Sequence, residues 1–278
     1  MNDAVCSNSE ELHTNIWAAG ALEISAEVTN SELFQFENRG WIGPYPLLND
    51  QGVRRITIMG KEANNKFALG PQMSGERPWF KSMHAYVPEF FDIANHPAIV
   101  NRVKAVLGPD LIVWGLCITI RRPGQVHRWH VDVEHRRWPG VTVFLGLKGT
   151  SQKSTLKIIS ESHKINALPQ ELKIKSDEAA VEKAQEFQPS SQLIAVNLNQ
   201  GEFFIFDGLL WHGSHNTDKQ SRMAMVIHYS RPNVRVQIPL NWDEPIAWSS
   251  ASPPCILVSG EDHYGTNQLV VGSAKKAP

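Results

Sequence analysis

The stretch Arg128-Trp129-His130-Val131-Asp132-Val133-Glu134-His135 decides how this chain is read. His130 and Asp132 lie two residues apart, and in an extended backbone that spacing puts both side chains on one face. A neutral imidazole and a carboxylate pointing the same way offer two of the three ligands that a divalent transition metal needs. A third ligand has to come from a distant part of the chain.

It is found in a second segment, Gly201 to Tyr229, which reads GEFFIFDGLLWHGSHNTDKQSRMAMVIHY. Phe203 to Phe206 is a buried strand, a turn follows at Asp207-Gly208, and His212 stands 212 − 130 = 82 residues beyond His130. Only tertiary folding can bring it to the pair. Two histidines and one carboxylate bind one face of Fe(II) and leave positions for a bidentate cosubstrate and O2. A 2-oxo acid chelates two of those positions. If it is 2-oxoglutarate, its far carboxylate needs a buried cationic fork, a task that suits Arg better than Lys. Arg222, at the head of an apolar strand, is the candidate, with the Ser214 hydroxyl as an added donor.

Outward from these segments the periodicity divides the chain in two. Asn30 or Ser31 is expected to cap a helix holding Leu33, Phe34 and Phe36, stopped by Gly40. Trp41 to Leu48 reads as a short entry strand, and a helix is expected around Val53 to Met59. Pro88 to Asn95 looks helical. A clearer helix begins near Pro97 with Ile99, Val100, Val103, Val106 and Leu107 on one stripe and ends at Gly108. Strands are expected at 111–121, 141–148, 154–160, 192–198, 203–206, 223–230 and 234–240. Lys164 to Ser190 interrupts them with a charged segment and a helix at Asp177 to Phe187, either a lid over a pocket or a solvated excursion. Helices followed by many strands point to one α+β domain with a sandwich or barrel core.

Composition bounds the function. The chain has 278 residues, 42% hydrophobic and 20% charged, with a net charge of −1. That balance gives no case for a nucleic acid or an anionic membrane as partner. The three cysteines, Cys6, Cys117 and Cys255, form no CxxC pair, which fits a reducing, cytoplasmic setting. The longest apolar run, Leu111 to Ile120, is too short to cross a bilayer, and no secretory signal is read at the N-terminus.

Further motifs stand in order around the metal pair: Phe36-Glu37-Asn38-Arg39-Gly40-Trp41, Trp79 to His84 leading into Asn95-His96-Pro97, Leu107-Gly108-Pro109-Asp110, and Arg121-Arg122-Pro123-Gly124. With His130-Val131-Asp132, Ser162-His163-Lys164 and His212-Gly213-Ser214 followed by Arg222, they resemble the phytanoyl-CoA dioxygenase family of Fe(II)/2-oxoglutarate-dependent oxygenases, over about residues 30 to 235. Ser160-Glu161 stands where that family has Pro-Gly. The resemblance implies an α+β, mainly β fold: a double-stranded β-helix (jelly-roll, cupin-like) core with N-terminal helices packed outside. No composition shift marks a boundary, so one domain over 1–278 is expected, with a core at about 30–240, and the small, charged residues 272–278 read as a disordered tail.

The resemblance also assigns roles. His130, Asp132 and His212 would hold Fe(II), and Arg222 with Ser214 would bind the far carboxylate of 2-oxoglutarate. Thr142, on the next strand, is a further candidate for that cosubstrate. The reaction would consume O2, release succinate and CO2, and hydroxylate a small molecule. Halogenating relatives have Gly or Ala at the carboxylate position, so Asp132 points to hydroxylation.

Arg128, His135, Arg136 and Arg137 form a basic cluster that either faces solvent or, chiefly through Arg128, His135 and Arg137, clamps an anionic substrate, amino-acid-like, aminophosphonate-like or a natural-product intermediate. His127, His135 and His215 sit at odd offsets from the ligands and are expected to point away from the metal, as rim or outer-shell residues. His228 is expected to be a hydrogen-bonded core histidine. Two alternatives stay open: desaturation, epoxidation or ring formation at the same iron site, and a non-catalytic cupin-type binding protein. Oligomeric state is open as well.

Overall fold

Apolar alternation along the strands builds the molecule in layers. A computed structural model describes residues 16–18, 27–68, 80–132, 139–150, 153–236 and 252–270. Among them, helix α1 (Asn30–Arg39) precedes strand β1 (Trp41–Pro46), and helices α2 (Asp50–Ala68), α3 (Pro88–Ala94) and α4 (Pro97–Leu107) follow it. Then come β2 (Leu111–Arg121), β3 (Val126–His130), β4 (Gly140–Lys148) and β5 (Lys157–Ile159). After helix α5 (Asp177–Phe187) follow β6 (Leu193–Ala195), β7 (Glu202–Asp207), β8 (His212–His215), β9 (Arg222–Ser230) and β10 (Ile256–Ser259).

The strands form a major sheet of order β1-β7-β4-β9-β2-β10 and a minor sheet of order β3-β8-β5-β6. All their pairings are antiparallel. This is the jelly-roll sandwich expected from the sequence.

Strand β9 shows why two faces arise. Met223, Met225, Ile227 and Tyr229 join Leu116 and Ile118 of β2 and Phe203 and Ile205 of β7 in one apolar cluster with the helices. The intervening Ala224 and Val226 pack in a second cluster with Phe144, Phe204 and Phe206 and with Leu156 and Ile158 from the minor-sheet side. A period of two therefore separates a helix-facing layer from the interior of the sandwich. Helix α2 contributes Val53, Ile56, Ala63 and Phe67 to the first cluster, a stripe spaced for one helical face.

The helix ends differ in detail from the expectation. The N-cap of α1 is Thr29, not Asn30 or Ser31; its hydroxyl accepts from Glu32 N–H while the Glu32 carboxylate accepts from Thr29 N–H. This reciprocal pairing outcompetes a cap one residue later because only Thr29 has Glu three positions on. Gly40 ends the helix at φ +85°, and a Cβ there would come 2.6 Å from both His163 and Leu210. Helix α2 is longer than the span read from Val53 to Met59.

Val234 to Val236 is not a strand; the side chain of Asn267 donates to Pro232 O and Val234 O and accepts from Val236 N–H. Residues 237–240 of that expected strand lie outside the described residues, as does the tail at 272–278. Strand β10, which no periodicity marked, pairs with β2 at the sheet edge.

The 164–190 segment packs on the outer face of the minor sheet. Its Ile165, Ile174, Ala180 and Ala184 bury against Trp129, Val131, Ile159 and Trp211. Trp211 donates its indole N–H to Ala167 O at 3.2 Å, and Gln170 donates to Val131 O at 3.3 Å. No helix among the described residues is long and apolar enough to cross a membrane. Trp211 is fully buried, so Trp211→Ala is expected to lower stability by about 3–5 kcal/mol and to speed proteolysis within 164–190. Urea denaturation and limited trypsin digestion check this; an unchanged cleavage rate would show the segment is not docked through that ring.

Candidate metal centre

Alternation on β3 and β8 places the donors. Trp129 and Val131 point outward into the cluster under the 164–190 segment, which turns His130 and Asp132 inward. The strands pair antiparallel, with His130 opposite His212. His130 Nε2 lies 3.9 Å from Asp132 Oδ1, and His212 Nε2 lies 3.7 Å from Asp132 Oδ2. The three ligand atoms all fall within 4.8 Å of one another. One residue chosen at 130, one at 132 and one 82 positions later are thus brought together as the sequence implied.

The backbone fixes which imidazole nitrogen faces inward. His130 Nδ1 sits 2.8 Å from Arg128 O, and His212 Nδ1 sits 2.9 Å from Leu210 O. A carbonyl only accepts, so each Nδ1 carries the proton and each Nε2 presents a lone pair to the shared space. Burial pushes the His130 imidazole down to about 3, with His212 adding to the effect and Asp132 opposing it. Burial alone would raise the Asp132 carboxyl, but His212, His228, Lys81 and His130 around it hold it well below the usual carboxylate range. Neutral imidazole and ionised carboxylate are the forms a metal requires.

The loops behind the ligands are anchored. Asp132 N–H donates to Gly208 O at 3.0 Å. Trp211 N–H donates at 2.8 Å to the hydroxyl of Ser162, which in turn donates to Ile159 O. The Ser162-His163-Lys164 turn therefore holds the start of β8 even though Ser160-Glu161 precedes it; Glu161 takes a positive φ of 69° and its carboxylate accepts from Gln188 and Ser190.

Arg222 is 1% exposed. Its Nη1 donates to Ser154 O at 2.8 Å and its guanidinium carbon lies 5.5 Å over the Phe144 ring, while its Nε has no partner. No carboxylate among the described residues pairs with it. Burial, with Arg121 nearby, pushes its pKa down to about 10. Ser214, 5% exposed, likewise has a hydroxyl without a partner. Phe144 leads back to the metal side through Phe204 and Phe206, whose ring meets His212 edge-on at 4.9 Å. A buried, unbalanced guanidinium and an idle hydroxyl in this interior suit an anionic ligand.

Other residues are placed less as expected. Thr142 is 1% exposed, and its hydroxyl lies on Asp132 Oδ2 at 2.6 Å, a contact the sequence did not reveal. His127 does not point away. The register between β3 and β8 slips, four residues from His127 to His130 facing three from Ser214 to His212. This bulge turns His127 inward, and its ring stands 4.2 Å from that of His130. Burial and the charges of His130 and Arg121 hold it well below its ordinary pKa.

His215 is exposed, as anticipated, and His228 is the buried, hydrogen-bonded histidine expected. The Arg128 side chain is exposed. His135, Arg136 and Arg137, the rest of the basic cluster, lie outside the described residues. Lys81 was given no role by the sequence, yet its charge reaches His130, Asp132 and His228.

A model of the family described as Phytanoyl-CoA dioxygenase (PhyH) matches residues 75–224, more than half of the chain. Among solved structures, the chain is similar to the non-heme monooxygenase ThoJ in its nickel complex, with 21% identity, a TM-score of 0.62 and 88% of each chain covered. CytC3 with Fe(II) and alpha-ketoglutarate shows 18% identity and a TM-score of 0.62 over 90% of this chain and 98% of that one. The alpha-ketoglutarate-dependent carbocyclase SnoK from nogalamycin biosynthesis shows 16% identity and a TM-score of 0.58, covering 82% of this chain and 93% of its own. These likenesses establish the fold. No curated protein matches the sequence.

If the three donors act as one site, Ni(II) or Co(II) at 100 times its dissociation constant raises stability by about 2.7 kcal/mol. His212→Ala and Asp132→Ala are each expected to abolish that gain in thermal melts with and without metal. A wild-type metal shift retained in both variants would place the ion elsewhere.

Proposed function

The chain belongs to the phytanoyl-CoA dioxygenase family of iron- and 2-oxoglutarate-dependent oxygenases, and from that premise we propose that it hydroxylates a small molecule at a centre held by His130, Asp132 and His212. The observation that carries this reading is the buried Arg222 with its partnerless Nε, in the same interior as three metal-capable donors. A site that bound only a metal would have no use for such a charge, and leaving it unbalanced is costly.

Fe(II) bound there would supply O2 activation coupled to oxidative decarboxylation of 2-oxoglutarate, giving succinate and CO2. The chain's own residues do the rest. Arg222 would take the far carboxylate through its free Nε, and Ser214 would donate its idle hydroxyl to the same group. Phe144, under the guanidinium, keeps water from competing for that ion pair. His130 and His212, each locked by a backbone carbonyl, keep their Nε2 lone pairs inward. Asp132 supplies the anionic ligand. Its presence supports hydroxylation over halogenation, because its carboxylate fills the position a halide would need.

Anaerobic addition of Fe(II) and then 2-oxoglutarate is expected to give a weak visible charge-transfer band, and the same sample with O2 and candidate substrates to give succinate and a hydroxylated product. Metal binding with no band would leave the non-catalytic binding protein, and a desaturated or cyclised product would replace hydroxylation with that oxidation. Arg222→Met should weaken 2-oxoglutarate by roughly 100-fold, about 3 kcal/mol, while the ligand-free variant melts no lower than wild type. Undiminished 2-oxoglutarate affinity in that variant would remove Arg222 from the site.

A further inference from the structure

Three neighbouring strands of the major sheet put a row of residues beside the metal carboxylate. On β9, His228 is the direct cross-strand partner of Thr142 on β4 and of Gly115 on β2. Thr142 Oγ1 lies 2.6 Å from Asp132 Oδ2 and 3.0 Å from His228 Nδ1. The hydroxyl has one proton to give, and an ionised carboxylate only accepts. The Thr142 proton therefore goes to Asp132, and the hydroxyl oxygen receives the Nδ1–H of His228.

The imidazole has little freedom to do otherwise. It is 1% exposed, and it stacks on Trp114 with ring centres 4.6 Å apart and planes 21° from parallel. It fits because position 115 lacks a side chain: a Cβ there would stand 2.9 Å from His228 Cδ2. A polar chain of two links, both buried, ends on one oxygen of Asp132, and neither link is needed to close the sheet.

We infer that His228 and Thr142 are positioning residues that aim the Asp132 carboxylate at the metal. The Thr142 proton engages Oδ2 and makes it the poorer donor, so Asp132 offers Oδ1. His228 keeps the hydroxyl turned toward Asp132 by occupying its lone pair. Such outer hydrogen bonds orient a ligand and set its basicity. This rests on the reading of His130, Asp132 and His212 as metal ligands.

The test is titration of the full-length apoprotein with Co(II), followed by visible absorption, with circular dichroism to monitor folding. Wild-type binding is the control for the metal site itself; no Co(II) binding by wild type would overturn that reading and the inference with it. With wild type binding, Thr142→Val, which keeps the shape and removes the hydroxyl, is expected to weaken Co(II) by about 10- to 100-fold and to alter its ligand-field spectrum. Thr142→Ser should restore both.

A Val variant that binds Co(II) as wild type does would overturn the inference, as would a Ser variant no better than Val. Should Thr142→Val not fold, His228→Phe reads the same device from its other end, since Phe keeps the stack on Trp114 without the N–H. Weaker binding with a changed spectrum supports the inference, and an unchanged dissociation constant sinks it.

Discussion

The antiparallel pairing of β3 with β8 is the constraint on which the centre depends. It sets His130 opposite His212, and the donor that lies two residues beyond His130 then falls between them. The pairing is held from outside as much as from within. Trp129, Val131 and Trp211 alternate with the ligands and bury their rings and methyls under the 164–190 segment. A one-residue slip would send the imidazoles into that apolar layer and the tryptophans into the interior. Hydrophobic burial on the back of the minor sheet thus fixes the register that the chemistry on its front requires.

Much of this was legible beforehand because it follows from a period of two. His130 with Asp132, Arg222 at the head of β9, and the alternation of β4, β7 and β9 all come from local patterns that burial rewards in any tertiary setting. The helix around Pro97 and the helix at 177–187 were legible for the same reason at a period of 3.6. The inward turn of His127 was not, since it comes from an extra residue in β3 relative to β8, and register is a property of two strands. The contact of Thr142 with Asp132 depends on a loop end reaching across to another sheet, which no spacing encodes. Strand β10 is short and sits at an edge, where pairing with β2 decides the conformation and its own pattern adds little. Thr29 as the cap of α1 could have been found, because Thr29-Asn30-Ser31-Glu32 has the spacing of a reciprocal cap.

Charge explains the choice of residues in the interior. Lys81 and Arg121 act on the histidines near the metal side, and Arg222 adds a third cation. Asp132 is the carboxylate whose charge is felt at His127, His130 and His228. Burial first, and that balance after it, hold His127, His130 and His228 below their ordinary range, which favours metal binding by leaving the His130 lone pair available. The same balance opposes a divalent cation, which enters a field that is already positive.

The two effects are reconciled if the metal, which binds alone, binds more tightly with a cosubstrate beside it. A dicarboxylate cosubstrate brings two negative charges, one of which Arg222 can neutralise while the other end meets the metal. Each ligand then relieves the field that disfavours its partner, and by linkage the enhancement is the same in both directions. On this view the Arg222 Nε, which no protein group engages, is open to the cosubstrate carboxylate, and the site would be tighter for the pair than for either component. A buried carboxylate placed next to Arg222 would satisfy it in the ligand-free state and remove that coupling. Chemistry that brings metal, cosubstrate and O2 together before substrate is oxidised would be served by a protein that leaves this charge for the cosubstrate to complete.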